Sequence, residues 1–478
     1  MKTVKNLGFS FKTQQVKYGG YATLMTIIVI VGIILLNLTM EKFSLQLDLS
    51  ADKLFSLSEQ TIKVLDLIKT PVKLYGLWRP GEEDKTLTDV IGLYLAKNRN
   101  VSLELIDPDR NPGFLLRYDR ERKGITNGSL IVEGEKAFRV ISPYEMYEVS
   151  QSQTGLSSIT GLAVERRITS ALIYIGTGET PVLYEITGHS EFPLSAIGLQ
   201  ETVEQENFSL KTLNLLLADI PPDAYALILN SPSKDLALEE AGKILAYLEG
   251  GGSFLVLADY NIRELSVLNE VLVSYGLKFE YGIVHEADPN YVAIDPRSEW
   301  PDLADHEITR PLADKGRTPV VLLEAMALSV LETRRRSIEI TPLMTSSPSA
   351  FLRTNLDYNS TTALSSDIAG PLILGAAVVD PSWVEDNEKQ ARIVTIGAGS
   401  LLPLATQGFD ANRDLFLNSL TWLGNRSDTI SVRSKSLFLF PLNISLVQIV
   451  IFGALFIFVI PVGFFVAGFV TWLKRRHL

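Results

Sequence analysis

The stretch Ala226–Asp259, ALILNSPSKDLALEEAGKILAYLEGGGSFLVLAD, decides the fold. It opens on an apolar run, Ala226 to Leu229, that ends in a polar loop. Leu236–Glu249 then reads as an amphipathic helix, because Leu238, Ala241, Leu245 and Leu248 return at helical spacing. Asp235 precedes it, and Glu239 and Glu240 place negative charge in the first turn, where the helix dipole favours it. Gly250, Gly251 and Gly252 stop the helix. Ser253–Asp259 is a second apolar run. Strand, helix and strand with near-continuous apolar strands predict a parallel, doubly wound sheet covered on both faces.

The same alternation extends outward. Val182–Thr187 reads as a strand, followed by a helix near Leu194–Glu206 and a strand at Leu210–Leu215. A helix is expected near Ile262–Tyr275. The pattern weakens over 286–367, an insertion rich in Pro, Asp, Ser and Thr, and resumes with PLILGAAVV (Pro371–Val379) and ARIVTIGAG (Ala391–Gly399). A helix near Asn412–Leu423 closes a domain spanning about 176–430.

A smaller α/β domain is expected over about 41–175. Ser56 and Glu59 have the spacing of a capping box, and Ile62, Leu65 and Ile68 recur on one helical face up to Pro71. Val72–Leu77 is a strand, Leu87–Lys97 a helix, Val101–Ile106 a strand, and Ser129–Ile141 a hairpin turning at Glu133-Gly134. A helix over Ile159–Tyr174 completes a thioredoxin-like order. IDPDRNPG (Ile106–Gly113) places Asp107, Asp109 and Asn111 alternately, but Pro112 stands where a calcium loop requires Gly, so a tight turn is expected.

Ala22–Met40 is uncharged over 19 residues, about the ~20 that a helix needs to cross ~30 Å of hydrocarbon. Leu446–Trp472 is a second uncharged run, interrupted by Pro461. All 55 acidic residues lie between 41 and 440, whereas Lys2, Lys5, Lys12 and Lys17 precede the first run and Lys474, Arg475 and Arg476 follow the second. The positive-inside bias then predicts a two-pass protein of the inner or plasma membrane. Tails 1–21 and 473–478 are cytoplasmic, spans cover 22–40 and 446–472, and 41–445 is extracytoplasmic, with a linker at 431–445. An acidic outer region excludes nucleic acid as a partner. The chain has no cysteine, which removes disulfides, thiolate metal sites and a Cys nucleophile.

Gly188-His189-Ser190-Glu191 follows the first strand of the larger domain, where α/β sheets bind ligands. These four residues are the candidate ligand-binding site. A nucleophile elbow reads G-x-S-x-G, which this loop does not. His189 and Ser190 are adjacent and expected to point apart. A metal site drawn from His189, Glu191 and His285 lacks a ligand spacing, so no metal, cofactor or catalytic residue is assigned. The alternative is a polar turn whose Gly permits an unusual backbone angle.

Taken in order, the basic tail and first span, DLSADKLFSLSEQTIKVLDLIKTPVKLYGL (Asp48–Leu77), IDPDRNP, ERRITSALIYI (Glu165–Ile175), YEITGHSE (Tyr184–Glu191), the Ala226–Asp259 stretch and the terminal span resemble the GldG family of ABC-transporter auxiliary proteins over nearly the full chain. The resemblance implies a GldG-type N-terminal domain and a domain similar to class I glutamine amidotransferases. The cysteine of that enzyme fold is missing, so scaffold and not reaction is implied. The GHGE of relatives reads GHSE here. No G-x-x-x-x-G-K-[ST] is present, so ATP hydrolysis would belong to another subunit. The implied role is a non-catalytic auxiliary membrane subunit of an ABC-2-type system, with an ABC permease, an ABC ATPase and membrane lipid as partners. Homodimerisation and a glycan or lipid substrate stay open. Two other roles compete: a glycan- or lipid-binding module independent of any transporter, and a membrane-tethered hydrolase using His189, Ser190 and Glu191.

Overall fold

The computed structural model describes residues 21, 23–35, 56–119, 125–151, 157–178, 180–260, 264–313, 319–355, 362–381, 390–424, 435–436 and 453–476. The chain divides into two compact units, Met1–Leu54 and Phe55–Leu478. In the first, the described part is an apolar helix, Thr23–Leu35. Residues 36–40 of the expected first span lie outside the described residues.

The second unit begins with a small α/β lobe. Its elements are α1 (Glu59–Leu67), β1 (Val72–Leu77), α2 (Lys85–Lys97), β2 (Val101–Ile106), β3 (Leu130–Glu133), β4 (Phe138–Ile141), β5 (Tyr147–Gln151), β6 (Ser157–Leu162) and α3 (Val164–Thr177). The sheet order is β2-β1-β3-β4, with β1 and β2 parallel and β3 antiparallel to β1. α1 is capped by Ser58, whose hydroxyl accepts the Thr61 N–H, and not by the expected Ser56. The acid that completes the cap comes from α3: Glu165 Oε1 accepts the Ser58 N–H at 2.7 Å and the Thr61 hydroxyl at 2.7 Å. A local capping box is therefore replaced by a contact spanning 107 residues. The expected helix over Ile159–Tyr174 is corrected at its start. Ser157–Leu162 is a strand paired with β5, and the helix begins at Val164. Asp107 Oδ1 accepts the Asp109 N–H, so IDPDRNPG is a turn.

The large lobe contains β7 (Val182–Ile186), α4 (Leu199–Gln205), β8 (Ser209–Leu213), β9 (Ala224–Asn230), α5 (Leu238–Glu249), β10 (Ser253–Leu257), α6 (Ser266–Val273), β11 (Leu277–Glu280), β12 (Ala327–Val330), β13 (Glu339–Thr345), β14 (Ile373–Asp380), β15 (Ala391–Ile396) and α7 (Asp410–Leu423). They form a mixed sheet in the order β11-β12-β14-β15-β10-β9-β7-β8, with β13 also pairing with β14. The five strands from β15 to β8 are parallel; β14, β12 and β11 continue the sheet antiparallel. The stretch 286–367 is thus not wholly separate from the sheet, since β12 and β13 belong to it. Its polar connections masked these short strands.

Alternate residues of each central strand feed separate cores. Ala226 and Ile228 of β9 pack with Leu415 and Phe416 of α7 on one face. Leu227 and Leu229 pack with Ile244 and Leu248 of α5 on the other. Burial on both faces explains why the strands read as unbroken apolar runs. α5 is rotated from the expected face: Glu240, Ala241, Ile244 and Leu248 are buried, while Leu238 is 73 % exposed. Asp235 does not serve α5 but the next helix, accepting the Val267 and Leu268 N–H groups of α6.

The two lobes are joined by a buried ionic cluster. Arg166, 1 % exposed, places Nε 2.7 Å from Glu206 Oε1, and Arg167 Nη1 reaches the same oxygen at 3.1 Å. Arg413 of α7 returns the contact to Glu148 of β5 at 3.0 Å. The chain ends in helix α8 (Ile460–Arg476), preceded by a π-helical turn at Leu455–Val459. Pro461 cannot donate to the preceding turn and its ring crowds it, and the widened turn lies directly before it. Leu455–Leu473 is, among the described residues, the one helix long and apolar enough to cross a membrane. Residues 446–452 of the expected second span lie outside the described residues.

Candidate functional site

The parallel strands place β7 between β8 and β9. The chain runs from β7 to β8 on one side and returns to β9 on the other, so the order reverses beside β7. Crevices at the carboxyl ends of such strands are the usual ligand sites of open α/β sheets. Gly188, His189, Ser190 and Glu191 lie at this reversal point.

His189 does not face the crevice. It is 4 % exposed and lies between two carboxylates: Nδ1 is 2.7 Å from Glu191 Oε1 and Nε2 is 2.7 Å from Glu240 Oε2. Glu191 Oε2 also accepts the Gly188 and His189 N–H groups, and Glu240 Oε2 accepts the Ala237 N–H at the start of α5. The His189 carbonyl accepts the N–H groups of Ser233 and Lys234 at 2.9 and 3.0 Å, which binds the loop after β7 to the loop after β9. The hydrogen bond to Glu191 holds the imidazole pKa above its ordinary value against the opposing effect of burial, with Glu240 adding to it. Burial pushes the Glu191 carboxyl upward, but its hydrogen bonds to His189 outweigh this and hold it below its usual range. With a carboxylate oxygen against each ring nitrogen, neither nitrogen is left to meet Ser190. Gly188 has φ 127°, a conformation that L residues rarely adopt, so the turn does need its glycine.

Ser190 faces the other way. The residue lines a cleft of about 570 Å³, within the ~300–1,000 Å³ typical of ligand pockets. Phe192, 50 % exposed, follows it into the cleft and is held there by Asn230, whose amide donates to the Phe192 carbonyl at 2.6 Å. The loops after β9 and β10 contribute Ser231, Ser233, Asp259 and Tyr260. The loop after β15 contributes Gly399 and Ser400. The far wall comes from the stretch expected as an insertion and includes Asp295, Arg297 and Glu324, with Arg297 Nη1 2.8 Å from Glu324 Oε1.

Two features mark the cleft as built rather than incidental. Among the described residues, four that are not glycine have positive φ; three of them, Ser190 (58°), Ser231 (50°) and Glu324 (51°), line it. Such conformations cost about 1–3 kcal/mol each and gather where structure serves function. Gly399 is the second feature. Its N–H donates to Asp259 Oδ1 at 2.6 Å, and a Cβ there would stand 1.6 Å from Ser231 Oγ. Only glycine lets the three strand ends converge so closely.

Of the four residues singled out in the sequence, Ser190 reaches the cleft, while His189 and Glu191 form a clasp beneath it. His285 is not with them; its ring stacks on Phe351 at 5.4 Å, and burial lowers its pKa. Glu240 escaped the sequence reading because an acid in the first turn of a helix is ordinary, and only its burial marks it out. Asp259 and Gly399 sit at strand ends in the sequence, a signal that was present but shared by many residues.

No family model and no curated protein matches the chain. Among solved structures, the chain is similar to the N-terminal domain of mmIFT52, at 14 % identity, covering 50 % of this chain and 97 % of that one, with TM-score 0.36. It is also similar to a ThuA-like protein from Parabacteroides merdae, at 15 % identity over 55 % of this chain and 94 % of that one, TM-score 0.29. A glutamine amidotransferase from Thermotoga maritima matches at 12 % identity over 52 % and 90 %, TM-score 0.26.

Proposed function

We propose that the chain is a non-catalytic auxiliary subunit of an ABC-2-type transport system, resembling the GldG family. In this reading, apolar helices at both ends anchor it, its tails are cytoplasmic, and residues 41–445 present a ligand-binding cleft outside the cell. The small lobe is the thioredoxin-like domain and the large lobe the amidotransferase-like domain of that family, consistent with the order β2-β1-β3-β4 and with the parallel strands β15 to β8. The observation that carries the non-catalytic part is the clasp of His189. An imidazole engaged at both nitrogens by Glu191 and Glu240 has none left to meet a serine, which weighs against the hydrolase reading. The helix Leu455–Leu473 supports attachment to a membrane.

The test is purification of the full chain from its native membrane in mild detergent. An ABC ATPase and a permease are expected to travel with it in fixed ratio. Recovery of the chain without either subunit would overturn the transporter role.

A further inference from the structure

The chemistry of the cleft narrows the ligand. Asp259, Asp295 and Glu324 place three carboxylates on its walls, and Arg297, already paired with Glu324 at 2.8 Å, is the one basic residue among the lining residues described. The walls therefore carry more negative than positive charge. In a cleft the low-dielectric walls focus that field, so anionic groups are repelled and cations are concentrated. Phosphate, carboxylate and sulfate ligands do not suit it.

The neutral part of the lining is equally specific. The Ser190 hydroxyl makes no hydrogen bond to any described residue, although its backbone is held in the left-handed region at φ 58°. The GHSE turn holds a serine in the left-handed region, where glycine would sit without strain, at the lining of the cleft. Phe192 offers a half-exposed ring, and Tyr260, tilted at 42° against Tyr281 with ring centroids 4.7 Å apart, offers a second. Aromatic faces attract cations, and they also pack against the C–H face of a puckered sugar ring.

We infer that the cleft between the β7, β9, β10 and β15 loops binds a small ligand bearing a protonated amine together with hydroxyl groups, of the amino-sugar class. Asp259 and Asp295 receive the ammonium group, Ser190 bonds a ligand hydroxyl, and Phe192 and Tyr260 lie against the ring faces. This rests on the reading of the large lobe as a ligand-binding domain, and it stands apart from association with a transporter.

The experiment is calorimetric titration of the full chain in detergent at about pH 6, where an amine is protonated. The probes are a glucosamine trimer, its N-acetylated counterpart and a glucose trimer. The glucosamine trimer is expected to bind at least about tenfold more tightly than either neutral trimer, and to weaken as salt screens the charges. Asp295→Asn and Ser190→Gly are each expected to weaken it severalfold, with thermal unfolding showing both variants folded. Equal binding of a neutral trimer, insensitivity to salt, or binding of none of the three overturns the inference. Co-purification of transporter subunits with Asp295→Asn reports separately on the transporter role.

Discussion

His189 and Glu240 lie 51 residues apart and meet at 2.7 Å, a buried ion pair that ties the loop after β7 to the first turn of α5. Glu191 closes the pair into a triad on the imidazole's other side. The loop that borders the cleft is thereby fixed from behind, by side chains that do not themselves enter it.

Removing the imidazole should be costly. His189→Ala leaves Glu191 and Glu240 buried without their shared cation, a situation that typically costs about 3–5 kcal/mol. Chemical denaturation should show this loss in the transition that reports the large lobe. A variant as stable as the wild type would refute the clasp.

The clasp also sets a pH dependence. The pKa of His189 is raised in the folded chain, so its contribution is complete below about 6.5 and is lost as pH rises through the raised value. Glu191 is lowered, so its contribution is present above about 4.5 and is lost as pH falls through the lowered value. The His189→Gln variant should lose the part of the alkaline decline that His189 contributes. NMR titration of the His189 ring reads this directly, and a midpoint below 6.5 would contradict it.

Glu299 should act in the same sense as His189 and opposite to Glu191. It is fully buried, and neither carboxylate oxygen has a hydrogen-bond partner among the described residues. Burial, with the charge of Glu286 behind it, pushes its pKa up to about 8 from 4.5. Between these values the folded chain holds a proton that the unfolded chain has lost, so stability falls as pH rises. Glu299→Gln should remove that slope and stabilise the chain at neutral pH. An unchanged slope across pH 5–8 in denaturation would show that the proton lies elsewhere.

Ser190→Gly should relieve the left-handed strain at φ 58° and stabilise the fold by about 1 kcal/mol. A rise in melting temperature would register it.

Arg166→Ala should uncouple the lobes. The side chain is buried against Glu206, with Glu148 at 3.8 Å; its loss leaves Glu206 to Arg167 and Glu148 to Arg413 and opens a cavity between the lobes, so the interface should weaken. Limited proteolysis should then cut between the lobes before either lobe is digested.

The sequence by itself determined the alternation of strands and helices, the parallel core and the position of the GHSE turn past a strand. Apolar runs bounded by Gly, Pro and Asp are local signals, and each strand is buried by its own residues. It also determined the absence of cysteine chemistry. What only the tertiary structure decided was which polar residues meet. Glu165 caps a helix that begins with Glu59, Asp235 caps α6 rather than α5, and Glu240 turns inward to His189. β12 and β13 join the sheet from a stretch whose local pattern is weak. Hydrophobic periodicity reports how one segment faces a core. A carboxylate's partner depends on where a distant segment ends, and no spacing along the chain encodes that distance.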